Sequence, residues 1–292
     1  MREFVIDARA YLRDSTYKPE GRREQEHRER DLVFSYHQVE KGLTFPATKR
    51  PFGARAAASI EDGLRLDKVT IRPLIRVNAQ QAMEALSAWN DSGSYDGRVA
   101  PFATERYEPE TDDEVERFFG TRWSCRNYDP SREVTVGQLT DVVRLAQSAP
   151  SVCNRQAARV HILEDPEQRI AALRLQNGNR GFGDSIPHLA VITVDRRFFK
   201  DAGERNQRWI DGGLFAMTFV WALHARSFAS CMLNWSLGVT ATRALRGAIG
   251  LSEHEDVICL VAFGHPAAEA RAARSARHQI DDVLTIHKER GQ

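Results

Sequence analysis

Apolar residues recur at roughly helical spacing through about the first ninety residues, and this predicts a helical region. The segment REFVIDARAYLRD places Phe4, Tyr11 and the apolar residues between them at that spacing. A longer amphipathic stretch, EQEHRERDLVFSYHQVEKGL, is expected to stop at Gly42. The segments ARAAASIEDGLRLDKV and AQQAMEALSAWN predict two further helices.

The pattern changes in the second part of the chain. Between Asp91 and Asp113 the composition shifts to Gly, Ser, Asp, Pro and Glu, which is typical of a linker or surface loop. From Glu114 onward, three short apolar or β-branched runs, ARVHILE, HLAVITVD and DVICLVAFG, predict buried strands. Thr135 and Gln138 form a capping box that opens a helix. We therefore expect a helical extension over residues 1–95, a linker over 96–113 and an α+β domain over 114–292.

One helix, beginning near Trp209, is apolar almost all round from Leu214 to Leu223. A helix with no polar face is buried either in a core or in a subunit interface. The sequence leaves both locations open.

Composition and charge limit the classes of partner. The net charge of +1 provides no overall field for nucleic acid or a membrane surface, so any anion site must be local. The four cysteines are widely separated and show no C-x-x-C spacing, which argues against a zinc knuckle or a disulfide framework. The N-terminal segment carries charges throughout, unlike a signal peptide, and the apolar run from Leu214 to Ala225 is too short to span a bilayer. We expect a cytoplasmic protein.

The segment TRWSCRNYDP alternates Arg122, Ser124 and Arg126 with Trp123 and Cys125. In an extended chain, residues two apart share a face. Two guanidinium groups and a hydroxyl on one face are suited to an oxyanion, above all a phosphate. The alternative is a pair of exposed arginines beside a loop.

Two other segments carry candidate polar groups. A helix ends at Pro150, and the loop that follows presents Ser151, Asn154 and Gln156 just before a strand, where cofactor pockets commonly have their donors. An ordinary helix-to-strand connection would use the same residues. Near the C-terminus, three arginines are predicted to lie on or near one helical face, either adding to an anion site or simply solvated: Arg271, Arg274 and Arg277.

Other patterns favour simpler interpretations. The glycines of GNRGFG precede a strand, which is the wrong context for a dinucleotide fingerprint, and the segment is better explained as a flexible loop that could border a ligand. His37 and Glu40 suit a salt-bridged helix face, and we expect no metal site. No serine lies in a G-x-S-x-G elbow, so a hydrolase has no support.

Taken in order, these segments resemble the FMN-dependent nitroreductase family from about Glu114 to the end. The resemblance consists of an R-x-S-x-R-like element, an A-P-S-x-x-N-x-Q loop, a long buried helix, a stretch under the flavin (SFASCMLNWS) and a closing G-x-P with basic residues. The matched positions are Arg122, Ser124, Arg126, Ala149, Pro150, Ser151, Asn154, Gln156, Gly264, Pro266, Arg274 and Arg277.

The resemblance implies an α+β fold with a central, mostly antiparallel sheet flanked by helices. It implies that Arg122, Ser124 and Arg126 hold the FMN phosphate and ribityl chain, with Arg274 or Arg277 completing the anion site. It also implies that Ser151, Asn154 and Gln156 bind the cofactor, with Asn154 bonded to the flavin's polar rim, and that backbone groups around Leu233 and Asn234 face its N5 and O4 region. Hydride would pass from NAD(P)H through FMN to a small acceptor, with each site built from both subunits of a homodimer. No catalytic side chain is assigned.

The chain also departs from the family pattern. Ala157 and Ala158 stand where Pro-Trp is common, and Ser275 and Arg277 replace the usual Lys-x-Arg. The Gly-Leu-Gly type turn after the long helix is replaced by residues 227–229. Two alternatives stay open, namely a flavin oxidase or dehydrogenase on the same scaffold, and a flavin-free relative that serves as a binding partner.

Overall fold

The computed structural model describes residues 2–15, 25–65, 71–102, 108 and 111–287. Four helices form the first part of the described chain: α1 (Arg2–Ser15), α2 (Gln25–Leu43), α3 (Ala54–Arg65) and α4 (Pro73–Ser92). The helices that follow are α5 (Asp112–Gly120), α6 (Val136–Ala146), α7 (Pro166–Leu175), α8 (Gln207–Ala225) and α9 (Val239–Ile249).

A four-stranded sheet lies at the centre of the second part, with all its strand pairs antiparallel. Its strands are β1 (Ala158–Ile162), β2 (His188–Asp195), β3 (Ala229–Asn234) and β4 (Glu255–Gly264), in the order β1-β2-β4-β3. β1 and β3 are therefore the two edge strands. The candidate site residues adjoin these two edge strands.

Helices cover both faces of the sheet because the strands are apolar on both sides. On β2, Ala190 and Ile192 pack with the buried faces of α6 and α8, around the fully buried Phe219. Leu189 and Val191 point to the opposite face, where α7 and α9 complete a second core. Strands buried on both faces read as continuous apolar runs, which is why they stand out in the sequence.

The helical extension has a core of its own. Buried residues of α2, α3 and α4 form it, with Val39, Ile60 and Ala82 fully buried at its centre. Within α2, His37 Nδ1 lies 2.9 Å from Glu40 Oε2, so the salt-bridged helix face predicted there is confirmed.

Charged residues attach the extension to the second part. Asp14, at the end of α1, accepts hydrogen bonds from Arg196 Nε at 2.9 Å and Nη2 at 2.7 Å, and both side chains are buried. Arg208 of α8 pairs with Asp7 at 2.8 Å and with Asp256 at 2.8 Å. A small apolar cluster also joins the two parts, with Tyr11 of α1 packed beside Phe198 and Phe199.

The predicted fold class is confirmed, as are the three predicted strands, the capping box at Thr135 and the helices of the extension. Residues 66–69, at the end of the third predicted helix, lie outside the described residues, as do residues 103–107, 109 and 110 of the predicted linker. The helical face expected for Arg271, Arg274 and Arg277 is wrong, because residues 270–279 have no regular structure and are exposed. This stretch has almost no large apolar residues to bury, so nothing stabilises a helix there. Among the described helices, none is long and apolar enough to cross a membrane.

Candidate functional site

The segment from Arg122 to Asn127 runs alongside β3 in an extended conformation. The backbone N–H of Cys125 donates to the carbonyl oxygen of Ser230 at 2.9 Å, and Ser124 forms a parallel bridge with Ser230. Cys125 is fully buried and Trp123 packs against the same apolar cluster, whereas Arg126 is exposed. The predicted alternation of the two faces is therefore confirmed.

The two arginines of this segment lie on either side of the same strand edge. The Arg122 guanidinium is 5.8 Å from the ring centre of Trp221, and that of Arg126 is 6.0 Å from the ring centre of Phe182. Burial raises the pKa of the Cys231 thiol on β3, and the positive charges of Arg126 and Arg122 partly oppose this rise. The two guanidinium groups therefore contact aromatic rings of different elements, Arg122 that of α8 and Arg126 that of the glycine-rich loop.

The glycine-rich loop predicted at residues 178–183 faces Arg126. Together they line a cavity of about 610 Å³, in which Arg180 and Asn179 accompany Arg126. Sequence reasoning identified the loop but assigned no role to Asn179 or Arg180. The glycine spacing was the available signal, and only the fold shows which side chains lie opposite the loop.

Gln176 connects this loop to β3. Its Nε2 donates to the carbonyl oxygen of Asn234 at 3.0 Å, and its Oε1 accepts from the backbone N–H of Gly178 at 2.6 Å. Asn179 Nδ2 donates to the carbonyl oxygens of Leu173 and Gln176, both at 2.7 Å. The two amide side chains therefore fix the loop relative to the strand, and sequence reasoning missed both.

The outer edge of β3 presents the backbone groups of alternate residues. The Ser230 carbonyl points away from β4, towards Cys125, so by alternation Met232 and Asn234 also direct their N–H and C=O groups outward. Leu233 has its backbone towards β4 and its side chain in the core. Both predicted residues are on β3, but only Asn234 directs its backbone groups outward, whereas Leu233 directs its own towards β4.

The loop before β1 has an unusual backbone. Cys153, Asn154 and Gln156 have φ values of 48°, 52° and 51°, a region that non-glycine residues rarely occupy. Ser151 Oγ accepts from the Gln156 N–H at 3.0 Å, and Asp211 Oδ2 of α8 accepts from the N–H of Val152 at 3.1 Å. These bonds fix the backbone of the loop, and the exposed side chain of Gln156 donates from Nε2 to Asn154 Oδ1 at 3.2 Å.

Asp211 is a weaker acid than an ordinary aspartate because its side chain is buried. Its side chain also accepts a hydrogen bond from Gln207 Nε2 at 2.8 Å. Burial raises the pKa of Asp211 above its usual value, and the hydrogen bonds from Gln207 and Val152 reduce the rise. The carboxylate thus positions the loop at some cost in desolvation.

The predicted site residues fall into two groups at opposite edges of the sheet. Arg122, Ser124, Arg126 and Asn234 adjoin β3, whereas residues 151–156 precede β1. Three strand spacings of about 4.8 Å separate the edges, which is roughly 14 Å. Within one chain, the second group therefore lies at the far edge of the sheet from the first.

Arg274 and Arg277 lie in the exposed C-terminal segment, beyond β4. Arg277 donates to the carbonyl oxygen of Ser275, whose φ of 46° marks a turn. The segment leaves the sheet at Gly264 and Pro266, and Pro266 bridges Tyr128 just after the Arg126 segment. The base of the tail is therefore close to the arginines of the β3 edge, while the structure places no bond between the tail arginines and that edge among the described residues.

The groups at the β3 edge suit the charge and size of FMN. Guanidinium groups and hydroxyls are the donors that phosphate oxygens prefer, and Arg126, Arg180 and Ser124 supply them. Outward backbone groups of Met232 and Asn234 suit the polar edge of a flat heterocycle. The donor set therefore fits the cofactor that the resemblance implies.

Comparisons with known proteins assign the second part of the chain to a family. The model of the nitroreductase family matches residues 120–265, half of the chain, and the chain belongs to that family. A comparison with curated proteins finds no match.

Several solved structures share the fold. A protein from Bacillus subtilis, provisionally named a nitroreductase, has a TM-score of 0.53 and 14% identity, covering 61% of this chain and 100% of its own. A provisionally named nitroreductase from Desulfovibrio desulfuricans, solved in complex with FMN, has a TM-score of 0.51 and 18% identity over 61% of this chain and 99% of its own. A provisionally named NAD(P)H:FMN oxidoreductase from Staphylococcus epidermidis has a TM-score of 0.52 and 16% identity over 63% and 100%. These proteins are matched over almost their full length, so well over a third of this chain is additional to their fold.

Proposed function

We propose that this protein is an FMN-dependent oxidoreductase that uses NAD(P)H to reduce a small organic acceptor. The observation that carries the proposal is that Arg126 and the Arg180 loop line one cavity, next to the segment that Ser124 pairs with the outer edge of β3. The family membership and the FMN complex of the Desulfovibrio protein support it.

The β3 edge would bind the cofactor's phosphate and orient its ring. Arg126 and Arg180 would pair with the phosphate, and the Ser124 hydroxyl would donate a further hydrogen bond. The outward N–H groups of Met232 and Asn234 would face the polar rim of the ring. FMN, when bound, supplies the electron-transfer chemistry itself, so the residues need only bind, orient and exclude water.

A second copy of the chain would complete the site. Residues 151–156 lie at the sheet edge opposite the arginines, so they reach a cofactor at the β3 edge if they belong to the other subunit. The outward face of α8 supports such pairing, because Trp209, Ile210 and Leu214 are 43%, 53% and 42% exposed. A helix with one face in the core and an exposed apolar face is suited to a homodimer interface.

The exposed C-terminal segment supports the same arrangement. Ile280, Val283, Leu284 and Ile286 are all more than half exposed, which is costly for a tail in water. Burial against a second copy would remove this cost and could bring Arg274 and Arg277 to a phosphate.

The proposal is tested by replacing Arg126 with alanine. A charge-assisted hydrogen bond is worth about 1.5–3 kcal/mol, so the affinity for FMN should fall roughly 10- to 100-fold. The assay is flavin absorbance after gel filtration, followed by titration of the apoprotein with FMN. Arg132→Ala is the matched control, because Arg132 is an exposed arginine a few residues further on that does not line the cavity.

Unchanged FMN affinity in Arg126→Ala, with both variants folded by circular dichroism, would place the phosphate elsewhere. Wild-type protein that stays colourless with added FMN would favour a flavin-free relative. Anaerobic mixing with NADH or NADPH separates the other rival, because neither nucleotide would bleach the flavin of an oxidase that acts on a sugar or a peptide.

A further inference from the structure

A second cavity lies between the helical extension and the loop before β1. Its volume is about 440 Å³, within the range of small-molecule sites. One wall comes from α2 and α4 with the residues before α4, including Tyr36, Arg72 and Asn78. The other wall includes Gln156 and Arg159 of the core. Both parts of the chain must be in place for the cavity to exist.

Apolar surface exceeds polar surface on the wall, and polar side chains are interspersed with it. Val33, Ile75 and Phe215 contribute apolar surface. The side chain of Asn78 bonds the buried Tyr36 hydroxyl, whose pKa is raised by burial. A pocket of this kind binds a molecule with an apolar body and a small polar end.

The positive charges on the wall differ in how they are compensated. Arg72 pairs with the buried carboxylate of Glu29, through Nε at 2.7 Å. Arg155 pairs with Glu204 at 2.6 and 2.7 Å. Both guanidinium groups therefore have a carboxylate partner within the protein.

Arg159 differs from these two arginines, because its hydrogen-bond partners among the described residues are backbone carbonyl oxygens. Its Nη1 donates to the carbonyl oxygens of Gln156 at 2.9 Å and Ala158 at 2.7 Å, and among the described residues it makes no ion pair. Its guanidinium also lies 5.3 Å from the Phe198 ring centre, while that of Arg72 lies 5.9 Å from the same ring. Burial lowers the pKa of Arg159, and the positive charges of Arg72 and Arg197 add to this effect. The carboxylates of Asp195 and Glu255 oppose it from a distance, without forming an ion pair. A half-buried guanidinium with no carboxylate in direct contact is stabilised further by an anion.

We propose that this cavity binds a small organic acid, with its carboxylate on Arg159 and its apolar body against the residues of α2 and α4. The extension thereby determines which molecules the protein recognises. The cavity is lined by Ser151, Asn154 and Gln156, the residues assigned above to the flavin of a second subunit, so the acid would be the acceptor or a molecule that competes with it. This last point rests on the proposed function, whereas the binding itself does not.

The test compares benzoate with benzamide, which have nearly the same shape but differ in charge. Isothermal titration calorimetry on the wild-type protein, with and without FMN, should show benzoate binding at least about tenfold more tightly than benzamide. Arg159→Gln should remove this preference and leave the affinity for benzamide unchanged. Arg65→Gln is the control, because it removes an exposed arginine of the extension that does not line the cavity.

A second variant tests the cavity independently of charge. Leu74 lines the cavity and is 70% exposed, so Leu74→Trp should fill the space without disturbing the fold. Both ligands should then lose affinity. Equal affinity of the wild type for benzoate and benzamide, or a preference that persists in Arg159→Gln, would overturn the proposal. If benzoate binds as expected but NAD(P)H does not reduce the bound flavin, the proposed function fails and this inference stands.

Discussion

The attachment of α1 can be tested by replacing Asp14 with asparagine, which keeps the shape and removes the charge. Asp14 is fully buried, and Arg196 donates two hydrogen bonds to it at 2.9 and 2.7 Å. Removing one partner of a buried pair typically costs about 3–5 kcal/mol, because the other charge is left uncompensated. Arg196 retains Asp256 as a second partner, so we expect a loss below this range, about 2–3 kcal/mol.

The assays are urea and thermal unfolding at pH 7, followed by circular dichroism. A loss of about 2–3 kcal/mol should lower the melting temperature by roughly 4–10 °C in a chain of this size. Glu61→Gln is the matched control, since it changes a carboxylate to an amide in an exposed pair with Arg65, and its effect should stay below about 1 kcal/mol. Equal stability of the two variants would refute the buried attachment of α1.

The same carboxylate should affect the dependence of stability on pH. Burial opposes its ionisation, but hydrogen bonds from Arg13 and Arg196 outweigh burial and lower the pKa of Asp14 to about 2. Since the unfolded value is about 3.9, the stabilisation is complete at pH values above it and is lost as the pH falls towards 2. By pH 3 the wild type should have lost about 1 kcal/mol that Asp14→Asn does not lose. Parallel curves for the two proteins between pH 6 and pH 3 would contradict this assignment.

Two further predictions concern α8. A methyl group on Gly212 would lie 2.5 Å from Ile258 Cγ1 and 3.2 Å from Val194 Cγ1, so Gly212→Ala should cost about 1–3 kcal/mol by urea unfolding. A methyl group on the neighbouring Gly213 would have no atom within 4 Å, so Gly213→Ala should instead stabilise the protein by up to about 1 kcal/mol. Equal effects of Gly212→Ala and Gly213→Ala on stability would argue against close packing of α8 on the sheet. Leu214→Glu should convert the proposed dimer to a monomer in sedimentation velocity, whereas Ile170→Glu, a similarly exposed apolar position on α7, should not. A wild-type protein that sediments as a monomer would remove the basis of this last prediction.

The sheet was the most predictable part of the fold. β2 and β4 are apolar on both faces, so their sequences stand out as continuous runs, and a tight capping box marks the start of α6. α7 and α9 were not predicted. Each is short and buries few residues, with only Ala172 and Leu173 buried on α7 and Leu245 on α9. Their apolar pattern is too sparse to read without the sheet they pack against.

The candidate site was only partly predictable, for a related reason. Alternation along Arg122–Arg126 is a local property of an extended chain, and it could be read directly. Gln176, Asn179 and Arg180 acquire their roles from the loop's position across from Arg126, which depends on tertiary structure. Strand order also depends on tertiary structure, because no local pattern in residues 151–156 indicates that β1 and β3 lie at opposite edges of the sheet.

The extension joins the core mainly through charged groups, and this has a consequence for recognition. Its apolar residues are largely used within its own cluster, while Asp14, Arg30 and Asp31 reach across to the core. Polar contacts between two preformed cores fix relative position more strictly than apolar contacts do, because each hydrogen bond requires its own geometry. Tyr36 and Asn78 therefore occupy set positions relative to Arg159. A cavity whose two walls belong to separate hydrophobic clusters can then remain well defined, and changes confined to the extension can alter the proposed ligand without changing the β3 edge.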